Sequence, residues 1–172
     1  DHSETTKNLT NANLGWDVNN DSRLKVIINS VDLKAQDPLG LSREAWQQNP
    51  KSVDSRALEY NTRKTVQQTQ GAVVYEQQLN DQQSLHAMLY YGQRDTVQYQ
   101  SIPVVVQKKS QGQAGGVIDL GRNYYGTDLR WTAKNLIGSK PTTLIAGLAY
   151  DTLDEDRKGY ENFIGTGASK QL

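Results

Sequence analysis

Among its 172 residues the chain has no cysteine, one phenylalanine, one methionine and four prolines. Without cysteine there is no disulfide framework, no thiol nucleophile and no thiolate metal site. Net charge is missing too. The 19 basic and 19 acidic residues cancel, so nothing in the overall balance leans toward nucleic acid or toward an acidic partner. No apolar run approaches the roughly 20 residues that a spanning helix needs. Hydrophobic residues make up only 35%, which excludes a helical membrane protein. It does not exclude a membrane barrel, whose strands need only every second residue to be apolar. No secretory leader is visible at Asp1, and the chain reads as beginning inside a larger protein.

What the sequence does contain is a rhythm of six period-two segments. In Asn11 to Val18, Ala12, Leu14, Trp16 and Val18 alternate with Asn11, Asn13, Gly15 and Asp17. After the turn Asn19 to Ser22, Leu24, Val26 and Ile28 continue the apolar side, although Ile27 and Val31 break the alternation. A third segment, about Tyr60 to Leu79, is polar at first and alternates only near Val73, Tyr75 and Leu79. The fourth, about Ser84 to Gln100, carries Leu85, Ala87, Leu89 and Tyr91 on one side. The fifth, Val117 to Lys134, sets Tyr125, Leu129, Trp131 and Ala133 against Tyr124, Asp128, Arg130 and Lys134. The sixth, from Thr142, alternates Leu144, Ala146, Leu148 and Tyr150 with Thr143, Gly147 and Asp151.

The connections alternate in length. Asn19 to Ser22, Asn80 to Gln83 and Asn135 to Pro141 are short, whereas about Ala35 to Glu59 and about Ser101 to Gly115 are long. The first long connection holds one short helix, Ser42 to Gln48, with Ser42 as N-cap and Pro50 ending it, after a turn at Asp37-Pro38-Leu39-Gly40. Outer-membrane barrels have this asymmetry: tight turns face the periplasm and long loops face outside. The expected fold is all-β, six long antiparallel strands in an up-and-down meander. Trp16 and Trp131 lie near the short turns and Tyr91 and Tyr150 further up, the placement of a lipid-facing aromatic girdle at two rims. Six strands cannot close a membrane barrel, and open edges in lipid leave backbone groups without partners. The membrane reading therefore makes the chain a segment of a larger barrel. The other reading is a soluble secreted β-domain, an adhesin or carbohydrate-binding module, in which Leu14, Trp16, Leu129, Trp131 and Leu148 pack into one dry core.

Signals for chemistry are sparse. His2 and His86 are too far apart in sequence to found a metal cluster, and His86 stands among apolar neighbours. No nucleophile elbow, phosphate loop or zinc-protease motif occurs. Asp154, Asp156 and Gly159 imitate the opening of a calcium loop, but Lys158 occupies a ligand position and Gly165 stands where the closing glutamate belongs. Asn8-Leu9-Thr10 and Asn20-Asp21-Ser22 match a glycosylation sequon. No catalytic function, metal or cofactor is expected.

Several stretches together resemble the TonB-dependent outer-membrane receptors. They are Asp37-Pro38 with Gly40-Leu41, Thr62 to Thr65 followed by Gln68-Thr69-Gln70, Gln98 to Pro103, Gly115 to Ile118, Arg130-Trp131-Thr132, and Arg157 to Tyr160 with Asn162-Phe163. The likeness runs in order from Asp1-His2-Ser3 to Phe163. It implies a 22-stranded transmembrane barrel closed by a plug, in the bacterial outer membrane, with contact to lipid and coupling to the TonB complex through the plug. Plug and TonB box are absent from this stretch. It also implies import of a scarce small-molecule nutrient, pyrroloquinoline quinone or a similar cofactor, with a ferric siderophore as the alternative, and loops open to docking by phage or toxins. On that basis the candidate ligand contacts are Arg94, Gln98 and Gln100 at the top of the fourth strand and Arg157, Lys158 and Tyr160 beyond the sixth, where cations and amides meet an anionic ligand.

Overall fold

The computed structural model describes residues 1–109, 116–135 and 140–162. Parts of the last short turn and of the second long connection lie outside the described residues, as do Phe163 of the family-like stretch and Gly165 of the calcium-like one. Six strands, β1 (Thr5–Asn19), β2 (Ser22–Gln36), β3 (Arg63–Asn80), β4 (Gln83–Tyr99), β5 (Val117–Lys134) and β6 (Thr143–Tyr160), form one antiparallel sheet. Their spatial order is their chain order. Strands of 15 to 18 residues are about three times the usual length in globular proteins. The pairing is continuous, with register shifts only beside the first two short turns. β1 and β6 each pair on one side alone, so the sheet is open.

Strand ends differ from the periodicity for a physical reason. β1 begins at Thr5 rather than Asn11, because its first half rises above the apolar zone and shows no alternation, Leu9 being its single apolar residue. Tyr60 does not open β3. It is the C-cap of a short helix and is followed by Asn61 at φ 47°, a left-handed position that asparagine tolerates. The expectation of a single loop helix is corrected to three among the described residues: α1 (Arg43–Gln48), α2 (Ser55–Glu59) and α3 (Val104–Lys109). Ser42 caps α1 as expected, its side chain accepting from the Ala45 amide at 3.2 Å. Asp54 does the same for α2, accepting from the Arg56 amide at 2.9 Å. α3 opens on Pro103, whose carbonyl accepts from Val106 and Gln107; the run Val104-Val105-Val106 is β-branched and hides this turn from a propensity reading.

The two tightest turns share one device. Asn19 Oδ1 accepts from the Asp21 amide at 2.9 Å and Asn80 Oδ1 from the Gln82 amide at 3.0 Å, so each turn is closed by an asparagine side chain folded onto its own backbone. All short turns lie at one end of the sheet, here the lower end. The N-terminal segment, both long connections and the end of β6 gather at the upper end.

Candidate functional site

Direct cross-strand partners share a face, so the register assigns every strand residue to a side. One row runs Trp16, Leu24, Tyr75, Ala87, Leu129, Leu148, and the row above it Leu14, Val26, Val73, Leu89, Thr127, Tyr150. Next come Ala12, Ile28, Gly71, Tyr91, Tyr125 and Thr152; below lie Leu85, Trp131 and Ala146, then Ala133 and Leu144. These rows make a continuous apolar band on what we call the front face. The band is bare: Leu14 is 53% exposed, Trp16 50%, Leu129 45% and Leu148 72%. Four of the five side chains that a dry core would need on this face stand in the open, and the fifth, Trp131, is half-buried.

Trp16, Tyr91, Trp131 and Tyr150 all lie on the front face, and Tyr125, which the sequence reading left out of the girdle, stands directly opposite Tyr91. The polar ends of the upper rings turn to a polar row above. Gln93 donates to the Tyr91 hydroxyl at 2.7 Å, and that hydroxyl reaches Asn123 Oδ1 at 3.3 Å. At the other rim Trp131 Nε1–H donates to Gln83 Oε1 at 3.2 Å. From Ala133 up to Tyr125 on β5 is eight residues, about 26 Å along the strand. A barrel strand tilted about 40° would give this band a height of about 20 Å, close to the roughly 25 Å of outer-membrane barrels.

The back face holds most of the arginines and lysines, interspersed with apolar residues such as Leu9, Leu33, Val66, Leu120, Ile145 and Leu153, and its charges change character with height. In its lower part Arg23 lies 3.5 Å from Asp17, Lys25 lies 2.8 Å from Glu76, and His86 sits 3.8 Å from both Glu76 and Asp128. His86 therefore faces carboxylates, not the apolar residues that flank it in sequence, which alternate to the other side. Above this ladder two tyrosines interlock with two glycines. Tyr90 stands opposite Gly126 and Tyr124 opposite Gly92, the rings 6.5 Å apart. Tyr90 crosses β5 to hydrogen-bond Asp151 on β6, and Tyr124 crosses β4 to donate to Gln70 Oε1 on β3 at 2.8 Å. A Cβ on Gly126 would lie 2.6 Å from the Tyr150 carbonyl and from Tyr90 Oη, and one on Gly92 would enter the Tyr124 ring.

Higher still, the back face carries Lys7, Lys64, Arg94, Arg122 and Arg157 against a single carboxylate, Glu155. At the same height the front face carries Asp32, Asp95, Asp119, Asp154 and Asp156 against Lys34, Lys158 and Arg63. The upper sheet is thus basic behind and acidic in front. Arg94 and Arg122 are direct partners, an arrangement that costs stability because like charges oppose. Arg122 is compensated, its Nε–H donating to Glu155 Oε2 at 2.6 Å. Arg94 Nε is shut off from solvent and has no hydrogen-bond partner, a situation worth about 1–3 kcal/mol of instability for a buried donor.

The register separates the six residues expected to contact ligand. Arg94, Gln98 and Arg157 share the upper back face. Lys158 and Tyr160 are on the front, Lys158 paired with Asp156 at 3.0 Å and Tyr160 opposite Val117. Gln100 lies beyond β4 as a backbone strut: its amide donates to the Gly116 carbonyl at 2.7 Å and its carbonyl accepts from Asn162 Nδ2 at 3.1 Å. Arg122 and Lys64 were missed as companions of Arg94, although strand parity alone places them on its side.

The upper end is tied together by side chains that read as ordinary loop residues. Asn162, 3% exposed, donates to the Tyr60 carbonyl at 2.9 Å, and its amide donates to Gln107 Oε1 at 2.8 Å. His2 is buried against the Thr62 carbonyl at 2.8 Å. In the first connection Asp54 and Arg56 pair side-on at 2.8 and 3.0 Å, and the Arg56 side chain holds the Asp54 carboxyl down to about 2. No three metal-ligating side chains converge among the described residues. No described helix is long and apolar enough to cross a membrane, which says nothing of strands. No family model matches the chain.

Proposed function

We propose that this chain forms part of the wall of an outer-membrane transporter that binds a scarce small-molecule nutrient and passes it inward. The observation that carries the reading is the apolar band on the front face, edged by tryptophans below and tyrosines above, with most of the basic side chains on the opposite face. A sheet with that arrangement finds its complement in lipid on one side and an aqueous lumen on the other. The open edges at β1 and β6 require further strands, since unpaired backbone groups in hydrocarbon cost several kcal/mol each. A 22-stranded barrel of the TonB-dependent kind, energised through a plug, meets that need and agrees with the resemblance in the sequence. In this reading the chain has no catalytic role, the long connections face outward, where ligand, phage or toxin first arrives, and the cargo is pyrroloquinoline quinone or a similar cofactor, or a ferric siderophore. The competing soluble adhesin or carbohydrate-binding domain needs the front face packed, and the exposure of Leu14, Trp16, Leu129 and Leu148 favours the membrane reading over it.

The test is to fractionate cells of the source organism and blot with antibody to this chain. A band several times larger than 19.2 kDa in the outer-membrane fraction is the expected result. A soluble or secreted band near 19.2 kDa would overturn it.

A further inference from the structure

We propose that the upper back face, centred on Arg94 beside Arg122, is a binding site for a small polyanion whose carboxylate or phosphate groups complete a charge network that the protein leaves open. The lower back face is balanced in charge: Arg23 pairs with Asp17, Lys25 pairs with Glu76 and Asp128 lies beside His86, although Arg130 has no ion pair among the described residues. On the upper face five cations meet one carboxylate, and that carboxylate is engaged by Arg122 Nε at 2.6 Å. Arg122 and Arg94 are the same side chain in adjacent strands at the same height, one with its anion and one without.

The chemistry of the vacant position is specific. The Nε–H of arginine and the Nη–H on the same edge form the fork that takes a carboxylate or a phosphate side-on. In Arg94 that Nε lacks an acceptor and is covered, so the guanidinium turns outward to present its fork when an oxyanion arrives. The positions flanking Arg94 on its own face are Gln68 and Arg122 across the ladder and Gly92 and Thr96 along β4; none is acidic. A ligand oxyanion bridging Arg94 and Arg122 would supply the missing acceptor and screen the repulsion between them. Arg157 lies diagonally from Arg122, two residues above Glu155 on β6, a spacing of about 7–8 Å. A second anionic group on the same molecule reaches it, with Gln98 and Lys64 higher on the same face.

The site deepens the transporter reading by naming the class of cargo, and it rests on that reading only for the direction from which the ligand comes. The experiment is calorimetric titration of the intact protein, purified in detergent from its source cells, with citrate in one arm and pyrophosphate in the other. Arg94→Gln should weaken binding of the preferred anion by about tenfold or more, and Arg157→Gln should weaken it less. Arg94→Lys, which keeps the charge and loses the fork, should fall between wild type and Arg94→Gln. Lys158→Gln, one residue from Arg157 but on the front face, should bind as wild type does. Saturable binding of citrate alone identifies a carboxylate ligand, and of pyrophosphate alone a phosphate ligand. Equal losses from Arg94→Gln and Lys158→Gln, or no saturable binding of either anion at millimolar concentration, would overturn the site. Fractionation separates the two claims: a soluble protein that binds citrate through Arg94 keeps the site and removes the transporter, whereas an outer-membrane protein indifferent to both anions does the reverse.

Discussion

At the scale of single residues, the tyrosine–glycine interlocks are where the sheet tolerates least. A methyl group on Gly126 meets the Tyr150 carbonyl, a backbone atom that cannot swing aside, as well as Tyr90 and Asp151. Gly126→Ala should therefore destabilise the protein by about 2 kcal/mol, read as a lowered urea midpoint in detergent. Gly121→Ala, whose nearest neighbour would be Asp95 Oδ1 at 3.5 Å, should leave the midpoint unchanged. Asp54 offers a second test at this scale. Its side-on bond to Arg56 depresses its folded pKa from 3.8 to about 2, so the N-cap of α2 is fully supported above pH 3.8 and loses that support as pH falls through about 2. Chemical shifts of the Asp54 carboxyl and of α2 amides should titrate together in that window, and Asp54→Asn should abolish the dependence. His86 shows why the sequence was opaque here. Strand alternation throws its apolar neighbours to the opposite face, and only the register across three strands brings Glu76 and Asp128 beside it.

At the scale of elements, all six strands and the two short turns within the described residues, Asn19 to Ser22 and Asn80 to Gln83, were legible, because period two and asparagine-led turns are local signals. The upper reaches of β1 were not, since a strand above an apolar band has no alternation to display. α3 was lost behind three consecutive valines. The candidate site was legible by half: charge and height pointed to Arg94, Gln98 and Arg157, but adjacent residues in a strand face opposite ways, which sends Lys158 and Tyr160 to the front. A charge placed in the band tests the reading of that face. Leu129 sits in its middle row, and Leu129→Arg should cost about 2–4 kcal/mol in a lipid environment, measured as loss of folded protein on reconstitution into vesicles. Met88→Arg, on the back face opposite Asp128, should reconstitute like wild type. Equal behaviour of the two variants would mean that the front face does not meet lipid.

At the scale of the whole molecule, the open sheet and the bare band govern behaviour outside a membrane. Two edge strands with unpaired backbone and a continuous apolar face invite pairing with other copies. The 172-residue chain alone should form multimers in plain buffer and disperse on adding detergent, as light scattering would show. A monodisperse species of 19.2 kDa in buffer would contradict the membrane assignment.

The grouping of all the short turns at one end has a mechanical consequence. Each antiparallel pair joined by a short turn is a zipper whose free ends lie at the top, so traction applied there loads the cross-strand hydrogen bonds one after another instead of all at once. Drawn upward by a cantilever, the sheet should yield hairpin by hairpin. The segment from Arg63 through Tyr99 would release as one step of about 130 Å of contour, in a sawtooth whose teeth count hairpins and not strands.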